Sequence, residues 1–138
     1  MTLHSNKAIE ELINDFSLFD GWEDRYAYLI ELGDKLSDYP ESYMVDEYFV
    51  PGCVSKVWML PHFEDDIFTF KATSNGDITK GMIYILYLAY SGQPKSALSD
   101  VNIEGIFTEI GLQQNITPQR RNGFYAMVEK IKSYGVVD

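Results

Sequence analysis

Few residues in this chain can do chemistry. There is one cysteine, Cys53, set in "VPGCVSKVW" (residues 50–58), and there are two histidines, His4 and His62. A zinc site takes four Cys, His, Asp or Glu ligands, or three and a water. His4 lies near an end that should fray, and His62 follows Pro61 in a polar stretch. Asp65-Asp66 and Glu10-Glu11 read as charged faces. No dedicated metal site is expected. A cysteine hydrolase needs a base to activate its thiol, and His62 is the one candidate. If residues 54–60 are extended at ~3.3 Å per residue, His62 lies beyond hydrogen-bond reach of Cys53. The dinucleotide, phosphate-loop, Ser-hydrolase and zinc-protease motifs are all absent. No organic cofactor is expected.

What remains is a thiol acting alone. One cysteine cannot form an internal disulfide. Free cysteines are among the most buried residues. Pro51 and Gly52 argue the other way, because Pro-Gly favours a turn and loops run over the surface. These local features leave burial and exposure both open. An exposed lone thiol needs no base if its electrophile is already activated. A persulfide brought by a partner is such an electrophile, and attack on its outer sulfur is the displacement of thiol–disulfide exchange. At an ordinary pKa of about 8.5 a few per cent of the thiol is ionised at neutral pH. A neighbouring Arg or backbone N–H raises that fraction.

The chain around this thiol is ordinary in its totals. Its 138 residues suit a single domain spanning residues 1–138. Hydrophobic residues make up 46% and charged residues 23%, as in globular proteins. The net charge of −10 repels a polyanion, and Arg120-Arg121 is too short a basic patch to reverse that, so no nucleic-acid partner is expected. The opening "MTLHSNKAIEEL" lacks the basic-then-apolar order of a signal peptide. "MIYILYLAY" (residues 82–90) is too short to cross a bilayer, so no membrane partner is expected. With the lone cysteine, these features suggest a reducing cytoplasm.

The elements that must position Cys53 follow from periodicity. Ile9, Leu12, Ile13 and Phe16 mark a helix over residues 6–18, capped by Ser5 or Asn6. Trp22, Tyr26, Leu29 and Ile30 mark a second, with Asp20 as its cap. "YMVDEYFV" (residues 43–50) is β-rich and irregular. Residues 54–60 read as a strand stopped by Pro61. "IFTFKAT" (residues 67–73) alternates Phe68, Phe70 and Ala72 against Thr69, Lys71 and Thr73. "PHFEDD" between them suits a hairpin link. The pattern predicts a small antiparallel sheet with one face covered by helices. The helical period returns through Ile78, Met82, Ile85, Leu86 and Ala89, with Ser74 as cap and Asp77 in the capping-box position. Gly92 and Pro94 punctuate. A short helix is expected over residues 103–110 with Gly111 as C′. Thr117-Pro118 starts a last helix bearing Phe124, Met127, Val128 and Ile131, which Gly135 ends. Helices, strands and helices in that order define a two-layer α+β domain.

Four segments, taken in order, resemble the SufE-type sulfur acceptors of iron–sulfur cluster assembly. "GCVSKVW" resembles the family's G-C-x-S-x-V-W motif. "GWEDRYAYLIELGDKL" resembles its N-W-E-E-K-Y opening, "SNGDITKGM" its S-D-A-x-I-x-K-G-L segment, and "TPQRRNGFYAM" its S/T-x-x-R-x-N/Q-G-L-x-x-M segment. The resemblance runs from about Gly21 to Met127. It implies a fold related to SufE and NifU, with helices on a three-stranded antiparallel sheet and the cysteine loop at one end. It implies that Cys53 takes a persulfide sulfur from a pyridoxal-phosphate cysteine desulfurase of the SufS type. Cys53 then passes the sulfur to an iron–sulfur scaffold protein, and desulfurase turnover rises. The acceptor holds no metal or pyridoxal phosphate of its own and is not a stand-alone enzyme. Gly52, Ser55, Asn75 and Arg120 match motif positions and are candidates for positioning the loop or meeting the partner. Trp58 reads as core, and Gly81 as a close-packing position beside Lys80. The chain departs from the pattern at Asn75, where Asp is frequent, and at Gly76, where Ala is frequent. Gly76 is expected to loosen the first turn of its helix by up to ~1 kcal/mol. Two other functions fit a lone thiol: a regulatory module that binds a desulfurase without carrying sulfur, and a redox-sensing thiol, which here lacks a resolving cysteine.

Overall fold

In a computed structural model, described for residues 7–112 and 115–136, the chain forms five α-helices and one β-hairpin. The helices are α1 (Lys7–Ser17), α2 (Trp22–Gly33), α3 (Asp77–Tyr90), α4 (Ile103–Ile110) and α5 (Pro118–Val136). The strands are β1 (Val57–Glu64) and β2 (Ile67–Ser74), paired antiparallel from Val57 opposite Ser74 to Glu64 opposite Ile67. The α+β class stands. His4 and the proposed caps Ser5 and Asn6 lie outside the described residues.

The sheet has two strands among the described residues, and the expected third is not among them. Residues 43–50 do not extend. They coil through two short 3-10 turns, Glu41–Tyr43 and Asp46–Tyr48, and touch the sheet through one bridge, Phe49 to Trp58. β1 also outruns its expected end at Pro61. The Val57 carbonyl accepts from Val50 N–H, so the backbone of residues 57, 59, 61 and 63 faces away from β2. Pro61 therefore removes no bond of the hairpin ladder, and the strand passes through it. The "PHFEDD" link shrinks to Asp65-Asp66, with φ of 54° and 67°, the paired positive values of a tight hairpin turn.

Alternation in the hairpin sends Val57, Met59, Phe68, Phe70 and Ala72 inward, where they join the helices in one core. α3 contributes Met82, Ile83, Ile85 and Leu86 and is closely packed against α2. Gly81 permits that approach, since a Cβ there would land on the Leu29 carbonyl. Phe107 of α4 stacks on Phe124 of α5 with centroids 4.0 Å apart and planes 12° apart.

Several local signals resolve differently from expectation. α2 begins after Gly21 with no side-chain cap from Asp20. α3 begins after Gly76 rather than Ser74, and the Ser74 Oγ accepts from Gly76 N–H at 3.1 Å. That bond makes a local turn ahead of the helix, and no capping box forms. Residues Lys95–Asp100 form a 3-10 stretch where only turn punctuation was read. α4 matches its expected bounds and ends on Gly111, at φ 93°. α5 continues past Gly135 to Val136.

Candidate functional site

The cysteine loop is an excursion at the entrance to β1. Its base is closed by Val50 N–H donating to the Val57 carbonyl at 2.9 Å and by the Phe49–Trp58 bridge. Phe49 and Trp58 also meet edge to face, 5.9 Å between centroids. Residues 51–56 lie between these closures. Gly52 has φ 93°, a backbone conformation that favours glycine, and it turns the chain so that Cys53 folds back on α5.

α5 receives the loop on a strip of small residues. A Cβ on Gly123 would lie 3.3 Å from Cys53 Cα and 3.5 Å from its Sγ. One turn on, the Ala126 methyl would meet a Cβ on Gly52 at 3.2 Å. Residues three apart share a helix face, so Gly123 and Ala126 form one shallow seat. The buried Phe124, Met127, Val128 and Ile131, on the flank of α5 next to this seat, anchor the helix in the core. The stack of Phe124 on Phe107 fixes the helix's rotation and turns Gly123 toward the thiol.

Cys53 is half-buried in this seat, and its Sγ–H donates to the Gly123 carbonyl at 3.5 Å. Burial pushes the thiol pKa above its ordinary value. The hydrogen bond acts in the same direction, because an ionised sulfur has no proton to donate to a carbonyl. The resting residue is thus a protonated thiol, held at the surface but not free in solvent.

The far side of the loop is pinned to the turn before α3. Lys56 N–H donates to Asn75 Oδ1 at 3.0 Å, and Asn75 N–H donates to the Lys56 carbonyl at 3.3 Å. Ser55 packs against Gly76, where a Cβ would collide with the Ser55 side chain. This revises the expectation for Gly76. It stands outside the first turn of α3, in extended backbone at φ −110°, and its missing side chain is what admits Ser55.

The structure therefore gathers Gly52, Cys53, Ser55 and Asn75 into one surface patch. Arg120 lies one turn before Gly123 on α5, half-buried, with its backbone N–H donating to Thr117 Oγ1 at 3.3 Å. Among the described residues no hydrogen bond or ion pair joins Arg120 to Cys53. His62 sits far along β1, its side chain 62% exposed and its Nε2 3.7 Å from Glu64. Among the described residues no three His, Cys, Asp or Glu side chains gather as a metal site would require. None of the described helices is long and apolar enough to cross a membrane. Gly123 and Ala126 were not singled out in the sequence. The available signals were the glycine of the "TPQRRNGFYAM" motif, which is Gly123, and the small Ala126 three residues on.

Fold and site together define a small α+β domain that seats a single thiol between a loop and its last helix. The chain belongs to the SufE family: the pattern of SufE, the Fe-S metabolism associated domain, matches residues 10–135. An uncharacterized SufE-like protein of Rhizobium meliloti is 38% identical over 130 residues, covering 91% of this chain and 93% of the relative. The cysteine desulfuration protein SufE of Wigglesworthia glossinidia brevipalpis is 32% identical over 130 residues, covering 92% and 90%. In structure, the chain is similar to a hypothetical protein from Thermus thermophilus, with a TM-score of 0.74 over 93% of each chain. At 18% identity this is a likeness of fold alone.

Proposed function

We propose that this protein carries sulfur in iron–sulfur cluster assembly, accepting it on Cys53 from a cysteine desulfurase and delivering it to a scaffold protein. The observation that carries the reading is the seat of Cys53. The one thiol of a SufE-family chain stands on a surface loop whose glycine turn and small-residue cradle hold it ready without burying it fully.

The step is a displacement at sulfur. The Cys53 thiolate attacks the outer sulfur of the desulfurase persulfide. The new Cys53 Sγ–S bond forms as the S–S bond of the donor breaks, and the donor cysteine leaves as thiolate. One proton lost from Cys53 balances the charge, and no electrons are gained or lost overall. Delivery to the scaffold repeats the displacement with Cys53 as leaving group. The pKa of the resting thiol, raised by burial, suits a carrier that stays quiet in free solution. A free thiol of this kind persists in a reducing cytoplasm, where we place the protein.

Intact-mass measurement tests the reading. With a cysteine desulfurase and free cysteine, the wild-type chain should gain one sulfur and Cys53→Ser none. A wild-type chain that gains no sulfur while the desulfurase is active rejects the carrier role. Full stimulation of the desulfurase by Cys53→Ser would replace it with a regulatory one.

A further inference from the structure

At the apex of the cysteine loop the usual burial order is inverted. Cys53 and Ser55 are half-buried, while Val54 between them is 74% exposed. The pins on either side account for this. Cys53 is drawn onto Gly123 and Ser55 onto Gly76, so the side chain between them projects outward. An isolated exposed valine needs no explanation, but this one is covalently adjacent to the thiol. Consecutive Cα atoms stand ~3.8 Å apart. A partner that brings a sulfur to Cys53 therefore works within one residue of Val54.

Resting on the sulfur-carrier reading, we infer that Val54 is the docking anchor of the loop and enters an apolar recess beside the donor persulfide of the desulfurase. Adjacency sets it at the rim of the contact, where a docked partner can bury it. An apolar side chain gains from that burial, whereas a polar one loses water and needs a replacement partner. The rest of the apex offers no other branched apolar side chain: Pro51 and Gly52 are exposed but small in reach, and Lys56, also exposed, carries a charge. Val54 acts through contact with the partner and touches no reacting atom, so it is a positioning residue.

The test compares wild type, Val54→Ser, Val54→Asp and Val54→Leu in a desulfurase assay that varies the carrier concentration. Sulfur loading is read by intact mass and the free proteins by iodoacetamide alkylation. Val54→Ser should raise the half-saturating concentration about tenfold, the equivalent of about 1.4 kcal/mol. The rate at saturating carrier should hold. Val54→Asp should be weaker still, and Val54→Leu should keep wild-type affinity. Alkylation of the free variants should match wild type, which shows that the loop keeps its seat. A half-saturating concentration unchanged in Val54→Ser overturns the anchor, as does a loss confined to the saturating rate. If wild type itself gains no sulfur, the carrier reading falls and the anchor falls with it. If wild type loads and Val54→Ser loads identically at every concentration, the anchor alone falls.

Discussion

Gly123→Val drives a wedge between α5 and the cysteine loop. A Cβ at this position already meets Cys53 Cα at 3.3 Å and the Cys53 Cβ and Sγ at 3.5 Å. Alanine should be close to neutral, since its helix preference over glycine, ~0.5–1 kcal/mol, offsets a tight contact. Valine adds two methyl groups to a site with no room for them, and overpacking of this kind costs about 1–3 kcal/mol. One of the two surfaces must yield. α5 is held by Phe124 stacked on Phe107 and by a row of buried side chains. The loop is held here by one sulfur hydrogen bond at 3.5 Å. The loop should therefore leave its seat. Relief of about 1–3 kcal/mol raises the open population by roughly 5–150-fold. Iodoacetamide alkylation of native Gly123→Val should rise within that range, capped by the rate of the urea-unfolded chain. Gly123→Ala should stay near wild type. An alkylation rate equal to wild type, together with a lowered Tm, would refute the reasoning: the strain would then have moved the helix, and the loop would not be the weaker partner.

Asn75→Ala removes the acceptor for Lys56 N–H, a bond at 3.0 Å on an exposed segment. It should cost about 0.5–1.5 kcal/mol in urea unfolding and speed Cys53 alkylation, while Asn75→Asp, which keeps the acceptor, stays close to wild type. The pH profile of alkylation should inflect higher in the native protein than in the urea-unfolded chain, because burial raises the thiol pKa in the fold. The same shift links to stability. A pKa raised on folding contributes in full below the unfolded thiol value and fades as pH climbs through the folded one. The stability of wild type relative to Cys53→Ser, followed by urea unfolding, should accordingly decline across that alkaline window. A difference that does not change with pH would refute this.

Where local chemistry alone decides an outcome, the sequence was a good guide. The alternation of Phe68, Phe70 and Ala72 set the inner face of β2, and Gly111 closed α4 where its φ of 93° requires. Thr117 and Pro118 opened α5. Expectations failed where a distant neighbour, or in one case a competing local bond, overrode the preference read from the sequence. Pro61 reads as a strand breaker, yet its missing N–H falls on the side of β1 away from β2, which depends on how β1 pairs. Residues 43–50 have strand-like composition but meet β1 at a single bridge, so they coil. Ser74 has the chemistry of a cap but spends its oxygen on Gly76 N–H, because α3 starts later than the period suggests.

The site divides along the same line. That Cys53 is the one thiol, that a Pro-Gly turn precedes it and that no base or metal set accompanies it were legible from composition and order. So was the family, because four motifs recur in sequence. Burial of Cys53 was not legible, and local features left it open. It is decided by Gly123, 70 residues away along the chain, whose carbonyl accepts the thiol proton and whose missing side chain makes the seat. The clearance that Gly76 gives Ser55, and the exposure of Val54 that follows, belong to the same class. Each depends on how closely two backbones approach, and only the packing of α3 and α5 around the loop sets that distance.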